Sequence, residues 1–333
     1  MKIIVIGWMS PFSAGAGIVS ALKYAGHEVR TIATDTSTTR KNLLFCDLYL
    51  RDFLTIEQIE RKDRIRLKDS LFKLIQNDNI LYDFVLIIQS NICFDISGIT
   101  IPIYYYHRNL LYKHIPLYGN IQGLFYAYVK GYQNLAMIYP PEINAMKIHQ
   151  FLPYAIDSHH LPSFTLGESF NYFLGFQGAL DVQNGDMNDP LMDFVYSNRK
   201  RFIDFARTLN AEIRERDNPV DQVNWLQFMR RCNLSLNIPG NFGGVNERQF
   251  YIPACRSVLL QWYYPELELM NFFNRKNCLT FHTEKELEEQ CRWAFFNPQE
   301  LNIIREAGYQ LVLQSHTWDN RVEVILETVK KTL

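Results

Sequence analysis

The first 33 residues leave the chain few architectures. Residues 2–7, Lys-Ile-Ile-Val-Ile-Gly, are a β-branched run closed by glycine, the profile of a strand buried on both faces of a parallel sheet. The loop from Trp8 to Gly17 (Trp-Met-Ser-Pro-Phe-Ser-Ala-Gly-Ala-Gly) leads into residues 18–25, whose apolar positions recur at helical spacing, and Gly26 suits the helix stop. Residues 27–33 return as a second strand. Parallel neighbours cannot be joined by a hairpin and need a crossover. This strand–helix–strand unit therefore seeds a doubly wound α/β sheet.

The alternation continues along the chain. Residues 55–80 read as charged helix, 82–89 and 101–106 as strands, and Leu135–Tyr139 as a further short strand. Pro140 and Pro141 stop that strand and open a helical stretch. Residues 150–157 read as a strand running into a connection, and 158–168 are polar and turn-rich. A second alternation follows, with strands at 170–175, 232–238, 257–261 and 278–281. Its helices are expected at 198–209, 225–231, 246–255, 284–295, 298–315 and 319–333. Cores divide beyond about 250–300 residues, so the 333 residues are expected to form two α/β halves meeting near residue 157.

Composition excludes several classes. Hydrophobic residues make up 47% and charged residues 21%, which rules out a disordered chain. Lys and Arg total 34 against 35 Asp and Glu, a net charge of −1 that argues against sequence-blind coating of nucleic acid. The six cysteines form no CxxC pair and read as buried thiols. The N-terminal apolar run is too short for a signal peptide, and no run approaches the ~18 residues of a membrane span. A soluble, cytoplasmic protein is expected. Aromatic residues reach 14%. Tyr104–Tyr106, Tyr251 and Trp262–Tyr264 fall near expected strand ends, where rings line a ligand cleft or fill two cores.

Candidate sites follow from strand ends. Ser13-Ala-Gly-Ala-Gly17 runs into a helix, and small residues such as Gly15 and Gly17 let backbone N–H groups approach an anion there. The spacing does not fit a G-x-G-x-x-G fingerprint from Gly7, although Asp35 lies where a ribose-binding acid would sit. Pro239-Gly-Asn-Phe-Gly-Gly244 separates a buried strand from a helix. Asn246 suits the N-cap, with Gln249 three residues on as a capping box requires. Backbone donors at 245–248 could cradle a diphosphate, with Arg248 adding a fixed positive charge. Arg199, Lys200 and Arg201 crowd the start of an expected helix, which favours an anion or a solvated face. His107 follows a strand end, as a general base or a hydrogen-bonded structural residue. No HxH, HExxH or Asp-rich cluster supports a metal, and no nucleophile elbow or Walker loop is present.

Residues 13–29 resemble the opening of glycosyltransferase-B-fold enzymes, where a small-residue loop precedes a helix ending in Gly-His-x-Val. Three later stretches resemble the spore-maturation (CgeB-like) glycosyltransferases: residues 151–157, residues 246–255, and residues 304–321 with their Glu-Ala-Gly and His-Thr-Trp-x-x-Arg. The resemblance implies two Rossmann-like doubly wound domains facing a cleft. Residues 1–157 would bind the acceptor and 158–315 the nucleotide-sugar donor, with a C-terminal helix, 316–333, packing back on the first domain. It implies transfer of a sugar from a nucleoside-diphosphate sugar to an unidentified acceptor: a glycan, a small molecule, a protein or a modified DNA base. Neither a metal nor a cofactor is implied. Related enzymes carry a ribose-binding Glu shortly before an Ala-x-Gly; here Tyr251 and Arg256 occupy the matching positions, and Glu247 lies one turn earlier.

Under this resemblance the donor residues are Gly15, Gly17, Arg199, Arg201, Gly243, Gly244, Asn246, Glu247, Arg248 and Tyr251, with His107 or Asp35 as base. An epimerase or hydrolase of nucleotide sugars, or a non-catalytic relative that binds a sugar or a partner, uses the same fold.

Overall fold

The computed structural model describes residues 1–11, 13–35, 39–52, 65–66, 81–88, 94–96, 98–107, 121–127, 129–138, 140–161, 170–178, 180, 190–215, 222–239 and 245–333. They divide into two compact units, Met1–Pro153 with Trp318–Leu333, and Tyr154–Thr317. No described helix is long and apolar enough to cross a membrane.

The first unit is built on strands β1 (Lys2–Gly7), β2 (Glu28–Ala33), β3 (Leu48–Tyr49), β5 (Phe84–Ile88), β7 (Ile103–His107), β8 (Ile121–Tyr126) and β9 (Ile148–Phe151). They form one parallel sheet in the order β3-β2-β1-β5-β7-β8-β9. The direction of winding reverses between β1 and β5. Ile3 to Ile6 are all 0% exposed, as a strand covered on both faces requires. One face carries a cluster of Ile4, Ile6, Val85, Ile87, Tyr105 and Leu124. Against the sheet also pack α1 (Ala14–Tyr24) and α10 (Trp318–Lys330), which meet each other closely. A Cβ at Gly17 would overlap the Trp318 indole, so only glycine admits this crossing.

Tyr104, Tyr105 and Tyr106 fill this core. Tyr104 stands edge-on to Phe84 at 5.6 Å and its hydroxyl bonds Thr332 Oγ1 at 2.6 Å. Tyr106 stands edge-on to Trp318 at 6.3 Å.

Two local expectations for this unit are corrected. Leu135–Tyr139 is not a strand: residues 129–138 form helix α2 (Val129–Ile138), and α3 (Pro140–Ala145) begins at the first of the two prolines. Tyr132 and Ala136, four apart, pack on the sheet cluster while Met137 is exposed, the spacing of a helical stripe; Tyr139 lies outside the described residues. The strand at this point is β8, earlier in the chain. Of the stretch 55–80, only 65–66 are described, and they form β4 (Ile65–Arg66), paired with β6 (Phe94–Asp95). The remainder of that expected helix lies outside the described residues.

The second unit holds β10 (Tyr172–Gly178), β11 (Glu212–Glu215), β12 (Cys232–Asn237), β13 (Val258–Trp262) and β14 (Leu279–Phe281), parallel in the order β11-β10-β12-β13-β14. Its helices are α4 (Pro190–Thr208), α5 (Gln222–Arg230), α6 (Glu247–Ala254), α7 (Glu266–Leu269), α8 (Glu284–Phe296) and α9 (Pro298–Ser315). Phe176, Phe202, Leu234, Leu260 and Phe281 anchor the core. Four of the cysteines, Cys232, Cys255, Cys278 and Cys291, are buried thiols here. Cys46 is half-buried.

The His-Thr-Trp-x-x-Arg stretch serves each unit in turn. Within the second unit, His316 Nε2 contacts the Met270 carbonyl at 2.9 Å, its ring stacks on Phe272, and Thr317 bridges Ile156. Within the first, Trp318 is buried against Gly17 and Arg321 Nε donates to the Pro153 carbonyl at 2.9 Å.

Candidate functional site

In open parallel sheets ligands bind beyond the carboxyl ends of the strands. In the second unit that edge is where β10 ends at Gly178 and β12 runs into Ile238. Arg248, one residue inside α6, reaches back to this edge. Its Nη1 donates to the Gln177 carbonyl at 3.1 Å and its Nη2 to the Ile238 carbonyl at 2.9 Å. Arg199 of α4, only 3% exposed, donates from Nη1 to the same Ile238 carbonyl at 3.0 Å. Both guanidinium groups lie over the Phe176 ring, at 5.2 Å for Arg199 and 5.0 Å for Arg248. Glycine at 178 leaves room for both: a Cβ there would crowd Arg248 Nη1 and come within 2.9 Å of Arg199 Nη2, and the guanidinium groups would have to shift. Two arginines that converge on one carbonyl and one ring concentrate positive charge at this edge, and guanidinium geometry suits phosphate oxygens.

A carboxamide network fixes the helix end beside them. The Asn246 Oδ1 accepts from the Gln249 N–H at 3.2 Å and from Asn237 Nδ2 at 3.1 Å, while Asn246 Nδ2 returns a bond to Asn237 Oδ1 at 3.2 Å. Asn237 Nδ2 also donates to Gln261 Oε1 at 2.7 Å, and Gln261 Nε2 to the Trp262 carbonyl at 2.8 Å. Asn246 is thus the expected N-cap. The reciprocal half of a capping box is not made by Gln249, which is fully buried: its Oε1 accepts from the Tyr264 hydroxyl and its Nε2 donates to Met270 Sδ.

The remaining donor-site candidates separate. Arg199 and Arg201 do not begin a helix, because α4 starts at Pro190 and both sit more than two turns inside it. Positions two apart on a helix do not share a face. Arg201 points instead to Glu284, with 3.4 Å between Nε and Oε1, and lies over the Phe202 ring. Glu247 opens α6 and is half-buried. Tyr251, one turn later, is 0% exposed. Its hydroxyl accepts from the Asp157 N–H at 3.2 Å and its ring stands against Trp225 at 5.7 Å; burial holds its pKa far above the ordinary phenol value. Arg256, where the resembling family has glycine, takes a left-handed backbone with φ 59° and pairs with Glu306 while lying over Tyr309. Gly243 and Gly244 lie outside the described residues.

In the first unit the candidates make the following contacts within the fold. Ser13 caps α1, accepting from the Ala16 N–H at 3.2 Å and donating to the Trp8 carbonyl at 2.6 Å. Gly15 and Gly17 are both buried, and a Cβ at Gly15 would overlap the Trp8 carbonyl. Asp35 is 3% exposed and accepts from the Met9 N–H at 2.8 Å and the Ser10 N–H at 3.2 Å. Burial raises its pKa, and those two hydrogen bonds oppose the rise. His107, 1% exposed, stacks on Tyr105 at 6.3 Å. Asp35 follows β2 and His107 ends β7, three strand spacings apart in the sheet, or about 14 Å at ~4.8 Å per spacing. The fold does not make them a pair. Among the described residues no three His, Cys, Asp or Glu side chains come together as a metal site would need.

Phe176, Gly178, Asn237 and Gln261 were not singled out by sequence. The available signal was position: Gly178 and Asn237 each close a buried strand that feeds the site.

Residues 199–327 match the profile of a family described as glycosyl transferase-like. No curated protein sequence matches the chain. Solved structures resemble it over nearly its whole length. A glycosyltransferase from Rickettsia africae is 13% identical with a TM-score of 0.57, covering 99% of this chain and 98% of that one. Anabaena HepE in complex with UDP-glucose is 8% identical with a TM-score of 0.60, covering 99% and 100%. A Listeria monocytogenes protein assigned as a UDP-N-acetylglucosamine 2-epimerase is 12% identical with a TM-score of 0.54, covering 100% and 97%. The chain has the glycosyltransferase-B fold, and the matched segment of its second unit contains both Arg199 and Arg248.

Proposed function

We propose that this chain transfers a sugar from a nucleoside-diphosphate sugar to an acceptor, and that it does so without a metal ion. The observation that carries the proposal is the convergence of Arg199 and Arg248 on the Ile238 carbonyl, at the carboxyl edge of the second sheet and beside a capped helix N-terminus. In glycosyl transfer the bond between the anomeric carbon and the diphosphate oxygen breaks. Its electron pair leaves with the diphosphate, while the acceptor oxygen bonds the anomeric carbon and loses its proton. Negative charge therefore grows on the leaving group in the transition state, and fixed cations aimed there lower the barrier. The Asn237–Asn246–Gln261 network holds the helix end in place for this. That the similar Anabaena protein is solved with UDP-glucose supports a nucleotide sugar as the donor.

The resemblance of residues 304–321 favours the spore-maturation branch of the fold. Asp35 and His107 enter as residues that order the first unit. At 3% and 1% exposure, neither presents a proton acceptor at the surface.

The likeness to the Listeria protein assigned as an epimerase favours a second reading, in which the sugar is epimerised or the donor hydrolysed. Thermal shift with a panel of nucleoside diphosphates and their sugars, followed by product analysis with and without acceptors, tests both. Stabilisation by one donor and acceptor-dependent product support transfer. Turnover without any acceptor supports the second reading. Absence of a shift with every donor overturns both.

A further inference from the structure

Helix α8 (Glu284–Phe296) leaves one side uncovered along its length. Leu287, Gln290, Cys291 and Ala294 are buried against the second unit. The opposite side carries Lys285, Glu289, Arg292 and Phe296, all exposed. They are spaced four, three and four residues apart, so they form a single stripe. The stripe ends in an apolar knob. Phe295 and Phe296 are 66% and 72% exposed, the most exposed phenylalanines among the described residues. Their rings stand edge-on to each other at 5.2 Å, and Phe295 stands edge-on to Phe173 at 5.8 Å. Lys285 and Glu289 approach to 3.9 Å with side chains 85% and 60% exposed. Among the described residues no carboxylate pairs with Arg292.

We propose that this stripe docks on the same stripe of a second copy of the chain, with the two α8 helices antiparallel. The order Lys–Glu–Arg–Phe is its own complement when reversed. Laid in opposite directions, Arg292 meets the partner's Glu289 and Lys285 meets the partner's Phe296. Both pairings share one centre, between Gln290 and Cys291, so a single two-fold axis makes each of them twice, as an isologous interface requires. The first is an ion pair, and an ammonium over a phenyl face is a cation–π contact. A parallel arrangement sets Arg292 on Arg292 and Lys285 on Lys285, which like-charge repulsion disfavours. From Lys285 to Phe296 the stripe runs about 16 Å at ~1.5 Å per residue. Contact over one helix face of that length lies at the small end of interfaces, where association is weak and concentration-dependent. An anionic lipid surface suits the stripe less well: it would take the phenylalanines and the two cations but meet Glu289 between them. The pairing does not depend on the donor site.

Sedimentation velocity on the full chain, from about 5 to about 500 μM, covers the range in which small interfaces associate. The wild type is expected to move from monomer toward dimer as concentration rises, and less so in high salt. R292E and E289R each set like charges opposite one another at two symmetry-related points, so each is expected to weaken association roughly tenfold or more. The charge-exchanged E289R/R292E restores both opposite-charge pairs and is expected to recover wild-type association. F296S is expected to weaken association with the charges intact. All three positions are exposed, so these substitutions leave the core untouched. A wild type that stays monomeric throughout overturns the proposal. So does a dimer indifferent to the single substitutions, or one that E289R/R292E fails to restore, since that dimer uses another face. Co-sedimentation of a monomeric wild type with phosphatidylglycerol vesicles would assign the face to a membrane and equally overturn it.

Discussion

At the carboxyl edge of the seven-stranded sheet, polar groups turn inward. Asp35 ties the loop after β1 through two backbone N–H groups, His107 stacks on Tyr105, and Gly15 and Gly17 give way to the Trp8 carbonyl and the Trp318 indole. At the corresponding edge of the five-stranded sheet, two arginines meet at one carbonyl, and a glycine clears the space between them. The strands that lead to both edges are built alike, from short apolar parallel runs. What differs is where the charge goes. In one unit a buried carboxylate is tied to its own backbone by two N–H groups. In the other, two cations are brought together at one carbonyl. The edge that gathers positive charge is the one suited to an anionic ligand.

The sharpest way to break this contrast is to remove both cations. In R199M/R248M the methionine stems retain much of the packing on Phe176. Charged hydrogen bonds are worth about 1.5–3 kcal/mol each, so affinity for pyrophosphate or a nucleoside diphosphate is expected to fall roughly 100-fold or more in calorimetry. Apolar replacement of buried charge is often neutral or stabilising. The midpoint of denaturant unfolding is therefore expected to hold or rise. A variant that binds as before but unfolds early would make the arginines structural and erase the difference between the two edges.

Gly17→Val is the matching blow to the other edge. A side chain there must displace the Trp318 indole, which is 2% exposed. Overpacking of this kind costs about 1–3 kcal/mol, and the ~1 kcal/mol helix advantage of alanine over glycine does not extend to a β-branched residue. A loss of about 3 kcal/mol is expected in urea unfolding, with pyrophosphate affinity of the folded protein unchanged. Were the affinity to fall as far as in the arginine variant, the glycine would be part of the ligand site.

Tyr251→Phe sharpens the picture within the second unit. It removes only the hydroxyl that accepts from the Asp157 N–H and leaves that N–H buried. The expected cost is about 1–2 kcal/mol of stability, read from chemical denaturation. Donor affinity is expected to stay within twofold. A larger drop in affinity than in stability would return Tyr251 to the binding residues.

Legibility in the sequence tracked how local each cause was. Residues 2–33 were readable because a doubly buried strand must be apolar throughout and its crossover helix must end in glycine or its equivalent. Asn246 was readable because a cap is a bond between residues three apart. Arg199 was identified for the wrong reason. The helix was expected to begin near Asn198, which set the cations at its positive end, but α4 begins at Pro190 and the site is made by a tertiary approach to Ile238. Phe176 and Gly178 carry no local signal, since the ring and the gap matter only once α4 and α6 converge on them. The edge strand Glu212–Glu215 is charged and half-buried, so no apolar run announces it. Leu135–Tyr139 failed in the opposite way, as an apolar run whose four-residue spacing from Tyr132 mattered more than its composition.

Asp35→Asn is the mildest test, and its sign shows whether burial or the two backbone hydrogen bonds sets the proton affinity of this carboxyl. Burial raises the folded-state pKa of Asp35 above its ordinary value of 3.8. The folded protein therefore holds this proton to higher pH than the unfolded chain. By linkage, stability falls as pH rises through the interval between the two values and is greatest, from this group, below the unfolded pKa. Asparagine carries no titrating proton, so the difference in unfolding free energy between wild type and D35N should change with pH in that interval and become flat above it. The wild type is expected to gain on the variant as the solution is acidified. Near neutrality two effects compete: the variant sheds a buried charge but turns an amide N–H₂ toward the Met9 or Ser10 N–H, where an acceptor is needed. A net change within about 1 kcal/mol is expected there. If the wild type instead lost ground on acidification, the two backbone N–H bonds would outweigh burial. Asp35 would then be held ionised and low, and the first unit's edge would present a fixed negative charge.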